Sequence, residues 1–229
     1  MSVQKFFVKD NTRKAELDEF LARELSKAGY SRMELTKTPI GARVVVYAAR
    51  PGMVIGRRGQ SIRDLTKILE EKFGLENPQI SVAAIEVPEL DPRVVASQLA
   101  AALQRGIHFR RAAYWAVQRV MEAGALGVEI TVRGKLTSER SRCEHYRQGY
   151  LPRSGDAAKK QIRSAVEWIQ LKPGILGINV KIVPPGASFP DKPLIRPPPT
   201  AVETLVQVAT GTEGQPPPPE EEKQEDAGT

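Results

Sequence analysis

Near the N-terminus, apolar side chains return every third or fourth position, with Leu17, Phe20, Leu21, Leu25 and Ala28 on one face. The spacing predicts a helix from about Thr12 to Ala28, stopped by Gly29 and preceded by a short lead containing Phe6 and Phe7. The period then drops to two. Tyr30 to Lys37 and Arg43 to Ala49 are rich in β-branched residues and predict two strands, joined by a turn with Pro39 and Gly41. Pro51 and Gly52 break the second strand. Helical spacing resumes from Gln60 to Phe73 through Ile62, Leu65, Ile68, Leu69 and Phe73, with Gly74 at the C′ position, and Ile80, Val82 and Ala84 alternate as a strand. The first unit therefore reads helix, strand, strand, turn, helix, strand.

A second unit follows the hinge Val87-Pro88-Glu89-Leu90-Asp91-Pro92, where Asp91 suits an N-cap and Pro92 position N1. Val95, Leu99, Ala102 and Leu103 form the apolar face of the next helix, which Gly106 ends. From His108 to Ala123, Phe109, Ala113, Ala116, Val117 and Val120 gather on one side and leave Arg110, Arg111, Tyr114 and Gln118 on the other. Val128, Ile130 and Val132, and later Ile178, Val180 and Ile182, alternate as strands of a second sheet. Between those strands lies a basic, turn-rich segment with Lys135, Arg140, Arg142, Arg147 and Arg153. Ile162, Val166 and Ile169 fit a helix within Asp156 to Leu171, whereas the opening of that run could also pair as a strand; periodicity leaves both open.

Composition sharpens the boundaries. Beyond Val183 the chain turns to proline, then to Pro216-Pro217-Pro218-Pro219 followed by Glu220-Glu221-Glu222, a composition that cannot bury a core. The organisation expected is residues 1–87, 88–183, and an extended arm with a disordered Pro-rich acidic tail over 184–229. Of the chain's net +7, seven acidic residues against one lysine hold residues 201–229 at −6, so the remainder carries +13. A body that basic, with a pI near 9.6, favours a polyanionic partner. One cysteine, Cys143, excludes an intramolecular disulfide framework and suits a reducing compartment. No apolar run approaches the ~18 residues of a membrane span and the N-terminus lacks the apolar core of a signal peptide, so a soluble intracellular protein is expected.

The chemistry concentrates in Val54-Ile55-Gly56-Arg57-Arg58-Gly59. In a Gly-x-x-Gly turn the missing Cβ atoms permit both the sharp bend and close approach to a phosphate chain, and Arg57 and Arg58 add positive charge. The turn opens a helix, whose free N–H groups and positive dipole end also favour phosphate. A GXXG loop in such a setting is the device by which KH modules clamp a few nucleotides of single-stranded nucleic acid. The Arg110, Arg111 and Tyr114 face is a second candidate surface. Support for catalysis is thin. Cys143-Glu144-His145 lacks a second pair of ligands at zinc spacing, no Gly-x-Ser-x-Gly elbow occurs, and no P-loop is present. Neither a metal nor a cofactor is expected.

Several stretches together resemble the family of small-ribosomal-subunit protein three. They are Ala49-Arg50-Pro51-Gly52-Met53-Val54-Ile55-Gly56-Arg57-Arg58-Gly59, Glu89-Leu90-Asp91, Phe109-Arg110-Arg111-Ala112, Gly134-Lys135-Leu136, Ser154-Gly155-Asp156 and Gly174-Ile175-Leu176-Gly177, in family order from roughly Phe6 to Val183. The N-terminal lead and the Ser-Gly-Asp segment resemble the archaeal and eukaryotic branch. The resemblance implies an α+β fold of two domains, an N-terminal type II KH domain followed by a second α+β domain. It also implies a seat on the head of the small subunit, beside the channel through which mRNA enters, in a cytoplasmic ribosome. Partners would be small-subunit ribosomal RNA, mRNA and neighbouring head proteins, with no membrane and no small-molecule substrate.

By the same resemblance Gly56, Arg57, Arg58 and Gly59 match the KH loop, while Arg110 and Arg111 match basic residues implicated in gripping mRNA and opening its helices. Bacterial members carry lysine where this chain has Tyr114, and an aromatic ring there can stack on a base instead. Lys135, Arg140, Arg142 and Arg147 complete the expected RNA-binding set. The function implied is structural and RNA-binding, without catalysis. Two alternatives stand beside it. Some eukaryotic relatives have been linked to cleavage of damaged DNA, which would make endonuclease action a minor activity. A free-standing KH regulator of RNA is the other, and the match beyond the KH half speaks against it.

Overall fold

A computed structural model describes residues 3–38 and 41–190. The N-terminal half contains α1 (Val3–Glu24), β1 (Tyr30–Thr38), β2 (Gly41–Ala48), α2 (Pro51–Ile55), α3 (Gln60–Phe73) and β3 (Gln79–Ala84). Its sheet has the order β1-β2-β3, with β1 antiparallel and β3 parallel to β2. Alternation on β2 buries Ala42, Val44, Val46 and Ala48. Leu17 and Leu21 of α1 and Leu65 and Leu69 of α3 close over Val44 and Val46 in one core. Each such fully buried leucine contributes about 1.5–3 kcal/mol. The order α-β-β-α-α-β is that of a type II KH domain.

The second half contains α4 (Pro92–Gln104), α5 (Phe109–Glu122), β4 (Gly127–Gly134), β5 (Arg142–Gly149), α6 (Asp156–Gln161), β6 (Arg163–Leu171) and β7 (Gly174–Val183). Its sheet is antiparallel throughout, in the order β5-β4-β7-β6. The helices α4 and α5 lie on one face, where Val128, Ile130 and Val132 of β4 and Ile178, Val180 and Ile182 of β7 meet Leu99, Ala113 and Val117. It is an α+β domain.

The hinge fixes one half on the other. Asp91 caps α4 by accepting the Arg93 N–H at 3.0 Å and also accepts the Ser31 hydroxyl. The Arg93 guanidinium reaches back to Asp18 at 3.0 Å and to the Ser31 carbonyl at 3.1 Å, and lies over the Tyr30 ring. A cap of this kind is worth about 1 kcal/mol. Among the described residues no helix is long and apolar enough to cross a membrane.

Four expectations need correction. The first helix begins at Val3 rather than Thr12 and contains Phe6 and Phe7, which are exposed. Its opening turns bury nothing and are tied by charge, Asp10 pairing with Lys37 of β1 as well as with Lys14, so apolar spacing is silent there. Between the second strand and the Gly-x-x-Gly turn, where the expectation holds only a break at Pro51 and Gly52, Pro51–Ile55 forms the helix α2, too short to display a period. The turn-rich segment between Lys135 and Arg153 contains the strand β5, on which Tyr146 alone is buried and no alternation can show. The run from Asp156 to Leu171 opens as the helix α6 and continues as the edge strand β6, so Ile162, Val166 and Ile169 do not share a helix. On β6 the inward row holds Glu167 while the outward row holds Val166 and Trp168, which scrambles the signal. The expected arm and acidic tail lie, from residue 191 onward, outside the described residues.

Candidate nucleic-acid interface

The Gly-x-x-Gly turn joins α2 to α3. Its backbone is left-handed at Gly56 (φ 71°), Arg58 (φ 52°) and Gly59 (φ 72°). Gly56 is required twice over, since a Cβ there would lie 2.1 Å from the Ser61 hydroxyl oxygen; at Gly59 a Cβ would meet nothing, and only φ favours glycine. Arg58 holds its left-handed conformation without that freedom, at roughly 1–2 kcal/mol. Such strain marks a place where the backbone path matters. Arg57 and Arg58 are both exposed, and neither joins an ion pair among the described residues. Gly59 gives α3 no side-chain cap, and the Gln60 N–H is already taken by the Arg57 carbonyl, so what the turn offers an anion is chiefly its two uncompensated guanidinium groups.

Around α5 the charge is held differently. His108 is the N-cap, its Nδ1 accepting the Arg110 N–H at 3.4 Å while its ring stacks on the buried Phe109. Arg110 leans toward β5 and donates to Glu144 at 3.4 Å; Glu144 also accepts the Tyr146 hydroxyl at 2.9 Å. That hydroxyl, and then Arg110, hold the Glu144 carboxyl below its usual range. Burial, reinforced by the bond to Glu144, pushes the Tyr146 phenol up to about 12. Tyr114 stands edge-on to Tyr146 with ring centres 5.2 Å apart and is 64% exposed. Arg111 instead lines a cleft with His108, Trp115 and Arg119. The sequence places Arg110, Arg111 and Tyr114 on one exposed face; the structure adds that the two arginines serve its opposite borders.

The pleat of β5 divides the remaining basic residues. Arg142 is exposed on the side of Glu144 and Arg110 and contributes to the low affinity of Glu144 for its proton. Arg147 faces the other side, 3.5 Å from the buried Glu129, which Arg153 also approaches at 3.5 Å. Arg147 thus neutralises a buried carboxylate within the protein. Lys135 and Arg140 are exposed in the connection between β4 and β5. Cys143 and His145 stand 3.2 Å apart, with His145 also against Thr131, and among the described residues no cluster of three metal-ligating side chains occurs. Sequence reasoning left out Trp115 and Arg119. Trp115 sits one position beyond Tyr114 and interrupts the polar face, and the signal it offered was a tryptophan outside the apolar stripe.

Residues 16–91 match the model of the KH domain, and residues 99–182 match that of the ribosomal protein S3 C-terminal domain. The chain is 48% identical to small ribosomal subunit protein uS3 of Methanothermobacter thermautotrophicus over 190 residues, covering 83% of this chain and 74% of that protein. It is 46% identical to the uS3 protein of Methanocaldococcus jannaschii over 194 residues, covering 85% and 93% of the two chains. With the uS3 protein of Methanococcus aeolicus it shares 44% over 205 residues, 89% of this chain and 99% of the relative. A KH sheet with an exposed, arginine-bearing Gly-x-x-Gly turn, joined to a second domain that matches in its own right, makes this chain a member of the uS3 family of small-ribosomal-subunit proteins.

Proposed function

We propose that the protein is a structural constituent of the small ribosomal subunit head in the cytoplasm. It binds small-subunit ribosomal RNA, packs beside neighbouring head proteins, and lines the channel where mRNA enters, gripping the strand and helping to unwind it. The observation that carries the finer part is the border of α5, where Arg110, Arg111 and Tyr114 stand exposed on a helix whose other side is locked into the core. Guanidinium groups there meet phosphates, and Tyr114 offers a ring to an unpaired base. The KH turn, with its uncompensated arginines, supports a second RNA contact. Lys135, Arg140 and Arg142 extend the basic surface along the β4–β5 side. Arg147 contributes least to it, because Glu129 already engages its charge.

Changing Arg110 and Arg111 together to Ala tests the grip. Small subunits reconstituted with the variant are expected to assemble, to translate unstructured messages normally, and to slow on messages with a stable hairpin downstream. A wild-type ratio between structured and unstructured messages would remove the strand-opening role. Failed assembly would show that these arginines hold ribosomal RNA.

A further inference from the structure

Between the KH half and the second domain runs a cleft of about 1230 Å³. One wall is the KH corner at Lys27 and Arg50; the other is formed by α4 and α5, with Arg105, Arg111 and Trp115. Pockets that bury most of a drug-sized molecule measure about 300–1,000 Å³, so this one has room for more than a single base. Its charge is one-sided. Lys27, Arg50, Arg105 and Arg111 are exposed, and none of them joins an ion pair among the described residues. The lining carboxylate Glu89 is already neutralised by Arg119 at 2.8 Å.

Trp115 gives the cleft a stacking platform. The ring is 52% exposed yet held in place, because the Arg119 guanidinium lies over it at 4.8 Å and Glu89 anchors that guanidinium. A lone exposed tryptophan is ordinary on a protein surface. One fixed by an ion-paired arginine among unpaired cations combines what single-stranded nucleic-acid sites need, a ring for the base and cations for the backbone. The cleft also lies between the two surfaces already described. Arg111 belongs to both the α5 face and the cleft wall, while Arg50 is the N-cap of α2, whose five residues rise roughly 7–8 Å toward the Gly-x-x-Gly turn.

We propose that this cleft holds unpaired nucleotides of the mRNA, with a base against Trp115 and phosphates on Lys27, Arg50, Arg105 and Arg111. The inference rests on the reading of α5 as a messenger-binding face and adds to it a stacking residue and three cations. An unpaired base alone can present its face to the ring, so the cleft takes the strand after it has been opened. A strand parted at Arg110 and Tyr114 is thereby kept from closing again.

The full-length chain and a short oligouridylate provide the first test. The chain has two tryptophans, so Trp168→Phe leaves Trp115 as the reporter. RNA is expected to quench that variant, and Trp115→Ala in the parent chain is expected to weaken binding about tenfold. Lys27→Ala with Arg105→Ala should flatten the log–log salt dependence by roughly 1.4, at ~0.7 per phosphate contact. In assembled subunits programmed with a message carrying 4-thiouridine, cross-links should reach the peptide that contains Trp115. Binding and quenching that survive unchanged in every cleft variant overturn the proposal, as does a cleft cross-linked to ribosomal RNA in unprogrammed subunits. Failure of the α5 reading has a different signature: hairpin messages translate normally after Arg110→Ala, which leaves the cleft walls untouched, while oligouridylate binding still depends on Trp115.

Discussion

The KH turn and the α5 face carry the same kind of charge and hold it in opposite ways. In the turn, position is enforced by backbone. Gly56, Arg58 and Gly59 are left-handed, and the arginines between the glycines have no ionic partner among the described residues. On and around α5, position is enforced by side chains: Arg110 is tied to Glu144, and Arg119 to Glu89. Exposed ion pairs are worth only about 0–1 kcal/mol, so these contacts add little to stability. What they do is set how freely a cation can meet an outside phosphate. The turn should therefore respond to substitution through its fold, and the α5 face through its partners.

The largest effect that would break this contrast lies at Gly56. Alanine there would combine a left-handed φ with a Cβ 2.1 Å from the Ser61 hydroxyl oxygen. Gly56→Ala is expected to lower stability by about 1–3 kcal/mol and to weaken RNA binding along with it. Gly59→Ala, where the added Cβ meets nothing, should lose less. Denaturant midpoints of the two variants compare them directly, and equal midpoints would show that the turn is not held by Gly56. Next in size, Arg57→Asp with Arg58→Asp keeps both glycines and puts at position 58 a residue that tolerates the left-handed region, so it should not lower the melt while flattening the salt dependence of single-stranded RNA binding by roughly 1.4. Unchanged affinity at low salt would remove the turn from the RNA surface.

That contrast was only half visible in the sequence. The turn could be read because its requirement is local: two glycines at fixed spacing, basic residues between them and a helical period behind. The α5 face was also legible, since six buried residues on one side define its exposed side. The partners of that face were not. Glu144 and Tyr146 lie on β5, an edge strand with a single buried residue, so neither the strand nor its register against α5 had a periodic signal. Trp115 and the unpaired cations of the cleft come together from α5, the α4–α5 connection and two KH corners, an encounter that depends on how the hinge sets one half against the other. On β6 the row that meets the core holds Ile169 and Leu171 beside Glu167, while Val166 and Trp168 stand exposed on the opposite face, so both rows mix apolar and polar residues.

The hydrogen bond from Tyr146 to Glu144 sharpens the comparison through pH. Tyr146 has its folded pKa raised to about 12 from 10.0. A raised value means that the fold prefers the protonated phenol, so its contribution is complete below pH 10 and disappears as pH climbs from 10 toward 12. Glu144 has its folded pKa depressed below 4.5, and its contribution is present above that value and fades as pH falls through the depressed one. One substitution, Tyr146→Phe, removes the bond common to both. Thermal melts across pH should then show a shallower loss for the variant than for the parent at each extreme. Parallel curves at both ends would mean that this bond does not organise the α5 border.

The smallest stability effect belongs to Arg110, and it separates the two halves of the contrast most cleanly. Its side chain is 59% exposed and its partner Glu144 is 24% exposed, a pair screened by water on most sides. Arg110→Ala should shift stability by no more than about 0.5 kcal/mol, as surface substitutions usually do. Glu144→Gln should be similarly mild for the fold but opposite in effect on RNA. Removing the carboxylate frees the guanidinium from an internal competitor, so affinity for a single-stranded oligonucleotide at low salt should rise, whereas Arg110→Ala lowers it. If Glu144 instead serves to aim Arg110, both changes weaken binding. Titrating the two variants side by side decides between a carboxylate that restrains the arginine and one that positions it.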